Sequence, residues 1–435
     1  MVSASASVFE TVGPKHLCCG CGACVLACPA GAVQLAETPA GLMAPREAAR
    51  HRCVKCGRCM AVCPGHRFEL PRQDDGFAPA DDATLECHWG WALEDDTRRN
   101  GASGGAVTAL LSNLLSRGWI DGALVTRWGP ARPLRTESFV ARTPEELRVS
   151  QRSRYCPTPL LLGLSADHEG VDRLAVVGLP CHLQAVELLV DIGLIPAQRL
   201  VLKVGLICQG VLSYSALRHL AGNVKRRPED VRVFEYRDKR AHGWPGDVYM
   251  ETADGTAYQL PRSRRMDIKE AYRPIRCRLC PYGLNPWADI VFGDGYGATP
   301  QRDGISVVLV RTEVGALTLA AASGALALEP VSTEVALKAQ QPGERLARAA
   351  AFQAAYRSRH GPELRELLHD ARPEARHGPR LPRGDLRRLR ISEWMEDGPP
   401  TFARRAWVSL TLARNKGRHV ASQLARLLAT PAKRR

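Results

Sequence analysis

The sequence predicts a chain that mixes the α+β and α/β classes: a small cysteine-built module in front, a mixed-sheet body behind it and a basic helical tail. Three observations carry that prediction. A cassette of four cysteines recurs after 35 residues, strand-turn-helix patterns follow one another from about residue 85 to 330, and 19 of the 60 Lys and Arg residues fall within 351–435. The expected division is residues 1–75, 76–330 and 331–435. At 435 residues the chain is too long for one ordinary core, in keeping with several domains.

The cassettes read "CCGCGACVLACPAG" and "CVKCGRCMAVCPGH". Cys18, Cys21, Cys24 and Cys28-Pro29 in the first match Cys53, Cys56, Cys59 and Cys63-Pro64 in the second. Cys-x2-Cys-x2-Cys-x3-Cys-Pro is the bacterial ferredoxin signature, in which three cysteines grip one cubane and the fourth crosses to the other. Cys18, Cys21, Cys24 and Cys63 are therefore assigned to one [4Fe-4S] cluster, and Cys53, Cys56, Cys59 and Cys28 to a second. Gly20, Gly22, Ala23 and Gly57 are small enough for backbone amides to approach the sulfurs. Zinc ribbons would use two well-separated Cys-x-x-Cys pairs instead. Cys19 fits neither register and reads as a bystander thiol.

In the body, "NGASGGAVTALLSNLLSRGWIDGALVTRWG" predicts a glycine-rich turn, a helix over about 105–117 and a strand near 122–127. "VDRLAVVGLPCHLQAVELLVDIG" and "LVLKVGLICQGVLSYSALRHLAG" each predict strand, turn and helix, the second with Ser213 as N-cap. Such units in succession give a largely parallel or mixed sheet covered by helices, with ligands at the carboxyl ends of its strands. Cys181 and Cys208 both follow apolar strands, so two thiols distant in sequence can converge there. With Cys277 and Cys280 of "IRCRLCPYG" they number four, enough for a further cluster. "ASGGAVT" at a helix start is a sensible anion cradle, and equally an ordinary turn before a core helix.

Six ordered stretches, "RRNGASGGAVTALL", "QRSRYCPTPL", "VVGLPCHLQAVELL", "GLICQGVLSYSAL", "FEYRDKRAHGWPG" and "CRLCPYGLNPWADIVFGDGYG", make the chain resemble the family of beta subunits of coenzyme F420 hydrogenases and dehydrogenases. That family includes ferredoxin-dependent reductases of chlorophyll metabolism, and the likeness spans about residues 15–320. The resemblance implies an iron-sulfur flavoprotein with FAD beside a third [4Fe-4S] cluster held by Cys181, Cys208, Cys277 and Cys280. It implies that Ser103, Gly104, Gly105 and Thr108 contact FAD phosphates and that Ser153, Arg154 and Tyr155 lie along the flavin. Arg154 stands where the family more often has lysine, which keeps the charge and changes its geometry. Cys87 and Cys156 remain as ordinary thiols, Cys156 being the substitute ligand should one of the four fail.

The expected activity is passage of electrons between the clusters and a two-electron substrate through FAD, with coenzyme F420 as a co-substrate or a ferredoxin as the linked carrier. A non-catalytic electron-transfer subunit of a larger redox complex is the alternative. His182 and His242 are the candidate proton donors, each also readable as a plain hydrogen-bonding histidine. Asp289 and Asp294 of "ADIVFGDGYG" are candidates for holding a ribityl or ribose hydroxyl, or for capping turns. The basic "EYRDKR" reads as a site for a substrate carboxylate or phosphate, or equally as an exposed charged strand edge.

The formal charge is +15. Residues 351–435 hold 19 Lys and Arg against 8 Asp and Glu, a net of +11, which leaves +4 for residues 1–350. The basicity thus belongs to the tail, and no nucleic-acid partner is expected. "RPEARHGPRLPRGDLRRLR" reads as a linker. After it, residues 401–435 set Val420, Leu424, Leu427 and Leu428 at helical spacing among nine Lys or Arg, suited to an anionic membrane surface or an acidic protein partner. With no apolar leader and 15 cysteines, the expected location is the cytoplasm, or its membrane face through the tail. Other expected partners are a ferredoxin or another redox carrier and a small-molecule substrate.

Overall fold

The computed structural model describes residues 6–49, 52–68, 84–132, 134–165, 170–360 and 382–396. Residues 6–68 form a compact unit around an antiparallel hairpin, β1 (Val33–Glu37) and β2 (Met43–Glu47), with three single-turn helices, α1 (Val8–Thr11), α2 (Ala23–Leu26) and α3 (Arg58–Ala61). Helices α2 and α3 start at equivalent places in the two cassettes. Each is preceded by a left-handed glycine, Gly22 (φ 95°) and Gly57 (φ 74°), so the repeat in sequence is a repeat in backbone.

The body is built on an eight-stranded sheet of β3 (Glu86–Ala92), β4 (Gly122–Trp128), β5 (Thr136–Ala141), β6 (Leu174–Gly178), β7 (Leu200–Leu206), β11 (Ile290–Asp294), β12 (Ser306–Val310) and β13 (Leu326–Pro330). Its order is β13-β3-β12-β11-β7-β6-β4-β5. The four central strands β11, β7, β6 and β4 run parallel, while the outer pairings are antiparallel. The missing members of the series, β8 (Val231–Asp238), β9 (Asp247–Thr252) and β10 (Ala257–Leu260), form a separate antiparallel sheet.

Alternation along the central strands explains why both faces of the large sheet are covered. Ala123, Val125, Ala175, Ile290, Phe292, Val308 and Val310 enter one core with α4 (Asp95–Asn100), α5 (Ala106–Ser116) and α6 (Pro144–Arg148) on that side, where Leu110, Leu111 and Leu114 of α5 are fully buried. The intervening Leu124, Leu174, Val176, Val291, Val307 and Leu309 enter a second core, packed by Leu183, Val186 and Leu189 of α7 (Pro180–Asp191). That second core also takes in Cys21, Ala23, Ala27 and Val62, so the cassette unit is part of the body's packing. The Leu161 N–H donates to the Cys21 carbonyl at 2.9 Å. A side chain at Gly22 would strike Leu162.

Helices α8 (Ser215–Asn223), α9 (Arg262–Tyr272) and α10 (Ile275–Leu279) follow β7 and the small sheet, and α11 (Glu313–Ala321), α12 (Thr333–Lys338) and α13 (Pro342–His360) follow β12 and β13. The predicted helix over 105–117 and strand near 122–127 match α5 and β4 within a residue. Two expectations are corrected. Ser213 is not the cap of α8: it lies one residue too early, Tyr214 holds the N-cap position, and no side chain caps the helix. The linker reading of 372–390 fails over its last residues, which begin α14 (Arg383–Glu396). Leu389 of α14 is fully buried with Ile275, Phe352, Tyr356 and Leu17, and Glu396 accepts the Ile275 N–H at 2.6 Å, so burial stabilises a helix whose arginines had suggested solvent. The amphipathic stretch 401–435, with Val420, Leu424, Leu427 and Leu428, lies outside the described residues. Among the described residues no helix is long and apolar enough to cross a membrane.

Gly205 in β7 shows how tightly the second core is closed. A Cβ there would stand 2.6 Å from the Ala288 Cβ and 2.8 Å from Asn285 Nδ2. Both neighbours are fully buried, and Asn285 is held by the Gly178 carbonyl at 2.9 Å. Gly205→Ala should cost about 1–3 kcal/mol of stability through overpacking, read as a lower urea midpoint; an unchanged midpoint would show that this contact can relax.

Candidate functional site

Two sets of buried thiols and one large cavity adjoin each other at the carboxyl ends of the parallel strands. In the cassette unit, Cys18, Cys21, Cys24 and Cys63 line one small void with Val8, Val12, Leu35 and Pro45. Cys63 comes from the second cassette, so the crossing pattern of the signature is present in space. Cys59 has Cys53 and Cys28 as charge neighbours on the other side of the unit, where Cys56 is exposed.

The second set is assembled from three distant stretches. Cys181 sits in the first turn of α7 just after β6, Cys208 just after β7, and Cys277 and Cys280 in and just after α10. All four line a cavity of about 40 Å³, together with Cys18, Cys19, Arg276 and Arg345. Among the described residues no three His, Cys, Asp or Glu side chains close on a point as they would around a single metal ion. A four-iron cluster is wider than an ion, and its ligands stand around a void, as both thiol sets do. Burial pushes the Cys277 thiol up to about 12, and crowding by Cys208 adds to it; Cys63 is pushed up to about 12 in the same way, by burial first. Thiols held like this bind metal with release of their protons.

Backbone donors to sulfur recur in both sets and at Cys53. The N–H of residue i+2 donates to the cysteine sulfur at 3.3 Å for Cys18 (from Gly20), Cys53 (from Lys55), Cys63 (from Gly65) and Cys208 (from Gly210). Three of these are Cys-x-Gly, a short pattern that could have marked Cys208 as kin to the cassette cysteines from sequence alone. Cys19 is not a bystander: it lies between Cys21 and Cys181, within hydrogen-bonding reach of both. Cys156 and Cys87 stay apart from the sets, Cys156 against the Tyr236 hydroxyl at 3.5 Å and Cys87 near Thr333.

The large cavity, about 280 Å³, shares Thr158, Leu179, His182, Cys208, Gly210 and Val211 with the thiol-lined one. Its floor is the carboxyl halves of β4, β6, β7 and β11, and its walls are the start of α5 and residues 150–155. Ser103, Gly105, Thr108, Ser153, Arg154, Tyr155 and Asp294 all line it. Gly105 takes φ 74° as the N-cap of α5, and a Cβ there would strike the Thr97 carbonyl. Gly104 is turned away from the cavity: its N–H is spent on the Ser306 hydroxyl and its carbonyl on the Ala92 N–H, which draws the turn against β3. Arg154 donates to the Ser150 and Val149 carbonyls, both at 2.8 Å, while its Nε is buried with no partner among the described residues; burial lowers its pKa to about 10.

The two aspartates of β11 and its approach part company. Asp294, at the carboxyl end, lines the cavity and takes both guanidinium nitrogens of Arg237, at 2.8 and 2.9 Å. Asp289 lies at the opposite end, where it accepts the Lys203 N–H at 2.7 Å and the Thr312 hydroxyl at 3.0 Å, and so fixes the strand and the start of α11. A five-residue strand separates them, and the cavity opens at only one of its ends. His242 is also away from the cavity, its side chain 78% exposed and its Nδ1 2.6 Å from Asp247 Oδ2. His182 lies at the junction of the two cavities. Burial lowers its pKa to about 4, so the ring is neutral; Nδ1 accepts the Leu179 N–H at 3.4 Å, which leaves the proton on Nε2.

The basic stretch 235–240 is neither an exposed edge nor open to a ligand throughout. Arg237, Asp238 and Lys239 are buried. Lys239 donates to the carbonyls of Arg98, Ser103 and Asp303 at 2.6–2.9 Å and thereby holds the turn that leads into α5. Burial works against the Asp294 carboxylate, and Arg237 outweighs it, holding the carboxyl below the usual range; burial likewise works against a Tyr155 phenolate, and Arg237 with Arg265 outweighs it.

The ionised Asp294 contributes its stability above the ordinary carboxylate pKa of about 3.9, and the contribution fades as pH falls through the lower folded value. Asp294→Ala leaves Arg237 buried and unpaired and should cost about 3–5 kcal/mol, measured by denaturant unfolding at pH 7. A loss below about 1 kcal/mol would mean that Arg237 finds another partner.

Comparison with known proteins follows the same layout. The family model for the N-terminal part of the coenzyme F420 hydrogenase/dehydrogenase beta subunit matches residues 87–165, that for its C terminus residues 171–334, and that for a 4Fe-4S dicluster domain residues 17–67. A subunit of the F(420)H(2) dehydrogenase of Methanosarcina mazei is 27% identical over 305 residues, 69% of this chain and 80% of that protein. The coenzyme F420-dependent sulfite reductase of Methanocaldococcus jannaschii is 23% identical over 316 residues, 69% of this chain and 45% of that protein. A chain of the F420-reducing [NiFe] hydrogenase complex from Methanosarcina barkeri shares the fold, with a TM-score of 0.52 and 23% identity over 66% of this chain and 97% of that one. With an N-terminal 4Fe-4S dicluster domain and both halves of the beta subunit matched in order, the chain belongs to the family of coenzyme F420 hydrogenase/dehydrogenase beta subunits.

Proposed function

We propose that the chain is an iron-sulfur flavoprotein oxidoreductase that passes electrons between its clusters and a two-electron substrate through FAD. Its parts are a dicluster unit (1–75), a body that holds FAD and a third [4Fe-4S] cluster (76–330) and a C-terminal extension (331–435). The observation that carries this reading is the continuity of the three spaces. The void among Cys18, Cys21, Cys24 and Cys63 shares Cys18 and Cys19 with the cavity among Cys181, Cys208, Cys277 and Cys280, and that cavity shares six residues with the larger one.

The residues present fit these groups. The thiols lining each void include the four that a cubane needs, and the i+2 N–H donors stabilise negative sulfur. Ser103, Gly105 and Thr108 at the start of an 11-residue helix suit phosphate, where free N–H groups and the helix dipole favour an anion. The buried, unpartnered Nε of Arg154 calls for an acceptor in the same cavity.

When bound, clusters exchange single electrons and a flavin exchanges one or two, which joins one-electron carriers to two-electron substrates. Residues of this chain set the rest. Lys239 holds the turn that presents Ser103, and Asp294 pins Arg237 beside the Tyr155 hydroxyl, which orients the far wall of the cavity. Neutral His182 caps α7 and keeps Cys181 in its first turn, so its role is one of position. His242, exposed and outside the cavity, has no place in this scheme. F420 as the co-substrate and a ferredoxin or similar carrier at the exposed Cys56 side complete the reading. Two relatives, a dehydrogenase and a sulfite reductase, are named for F420.

A second reading, an electron-transfer subunit that acts only within a larger complex, is favoured by relatives named as subunits. Reduced F420 added anaerobically to the isolated chain separates the two: bleaching of bound flavin supports the enzyme, and no bleaching supports the electron-transfer role.

The anaerobically purified chain should carry about twelve irons, as three cubanes, and one FAD. Cys277→Ser should drop the iron to about eight and leave the dicluster signals intact. About eight irons in the unaltered chain would exclude the third cluster, and clusters without flavin would exclude the enzyme.

A further inference from the structure

Arg276 occupies an unusual place for a charged side chain. It is 2% exposed, stands next to Cys277 in α10 and reaches across to the cassette unit. One terminal nitrogen donates to the Pro64 carbonyl at 2.8 Å, directly after Cys63, and the guanidinium lies 4.1 Å from the centre of the Phe68 ring. Its Nε is buried without a partner, and no carboxylate pairs with it among the described residues. The groups that bear on its charge are thiols from both sides, Cys280 and Cys181 on the body side, Cys19 between them and Cys63 on the cassette side, and the Tyr282 hydroxyl. It also lines the cavity that Cys18 and Cys181 share.

A buried guanidinium without a carboxylate is costly unless other negative charge faces it. Thiolate-bound clusters supply that charge, and each becomes more negative by one unit on reduction. We propose that Arg276 is a common counter-charge for two clusters, the inner one on Cys18, Cys21, Cys24 and Cys63 and the one on Cys181, Cys208, Cys277 and Cys280, favouring the reduced form of both. The step served is the passage of one electron from either cluster to the other, with no bond made or broken and no proton moved. A charge that favours both reduced forms raises both potentials together and leaves the difference between them unchanged, so the counter-charge adds no uphill step to the electron's crossing. Arg273 differs: it faces Cys277 and Glu270, on the body side alone.

This inference rests on the third-cluster reading, so iron content is measured first in the full chain, unaltered and as Arg276→Gln, Arg276→Lys and Arg273→Gln. EPR-monitored redox titration then reads each cluster. With iron unchanged, Arg276→Gln should lower the reduced-to-oxidised ratio of both clusters at a given potential by about tenfold, on the scale of removing one buried charge, or about 59 mV for one electron. Arg276→Lys should keep most of the original potentials, and Arg273→Gln should move the body cluster only. Unchanged potentials in Arg276→Gln, or an equal fall in Arg276→Lys, would overturn the inference and leave the cluster reading standing. About eight irons in the unaltered chain would remove both. If Gln prevents cluster assembly, Arg276→Met serves as a second neutral variant with an apolar side chain: assembly in Lys but in neither neutral variant supports the charge role, and loss in all three overturns it.

Discussion

Four parallel strands end at one edge of the large sheet, and that edge decides where the chemistry lies. β4, β6, β7 and β11 deliver Val125, Gly178, Leu206 and Asp294 to the same cavity, although these residues lie far apart in the chain. Connections leaving the edge carry Cys181 and Cys208, and α10 returns Cys277 and Cys280 to meet them. At the other end of the same strands Asp289 accepts from the Lys203 N–H and the Thr312 hydroxyl.

The dicluster unit is held in contact with that edge by shared packing. Its Ala23, Ala27 and Val62 lie in the same core as Leu160, Leu161 and Leu183, while Leu17 and Met60 join Ile275, Phe352 and Leu389 in another. Two separate cores grip the unit from two sides, one through the body and one through α10, α13 and α14. The inner thiol set therefore faces the body set at a fixed position, with Cys19 and Arg276 in the wall between.

Charge inside the molecule follows the same economy. Arg237, Arg265, Arg276, Arg278 and Arg311 are all buried. Arg237 has Asp294 and Arg278 has Glu270, ordinary ion pairs in a low-dielectric interior. Among the described residues Arg276 has backbone carbonyls and an aromatic face in place of a carboxylate.

Local chemistry was legible in the sequence. Cysteine spacing assigned the crossing of Cys63 to Cys18, Cys21 and Cys24, and apolar runs located β4, β6, β7 and α5, because both signals depend on residues close in the chain. The Cys-x-Gly step at Cys208 is a signal of the same local kind. What the sequence determined by itself, then, is the strand-turn-helix units around β4, β6 and β7, the donor types and the family. Tertiary structure alone decided that Gly104 and Asp289 face away from the cavity, that Ser213 does not cap α8, that Arg387 and Arg388 belong to a packed helix, and that Cys19 and Arg276 sit between two thiol sets. The reason is physical: periodicity and spacing report which side chains lie near one another along the chain, whereas burial and pairing between distant stretches depend on how separate elements pack.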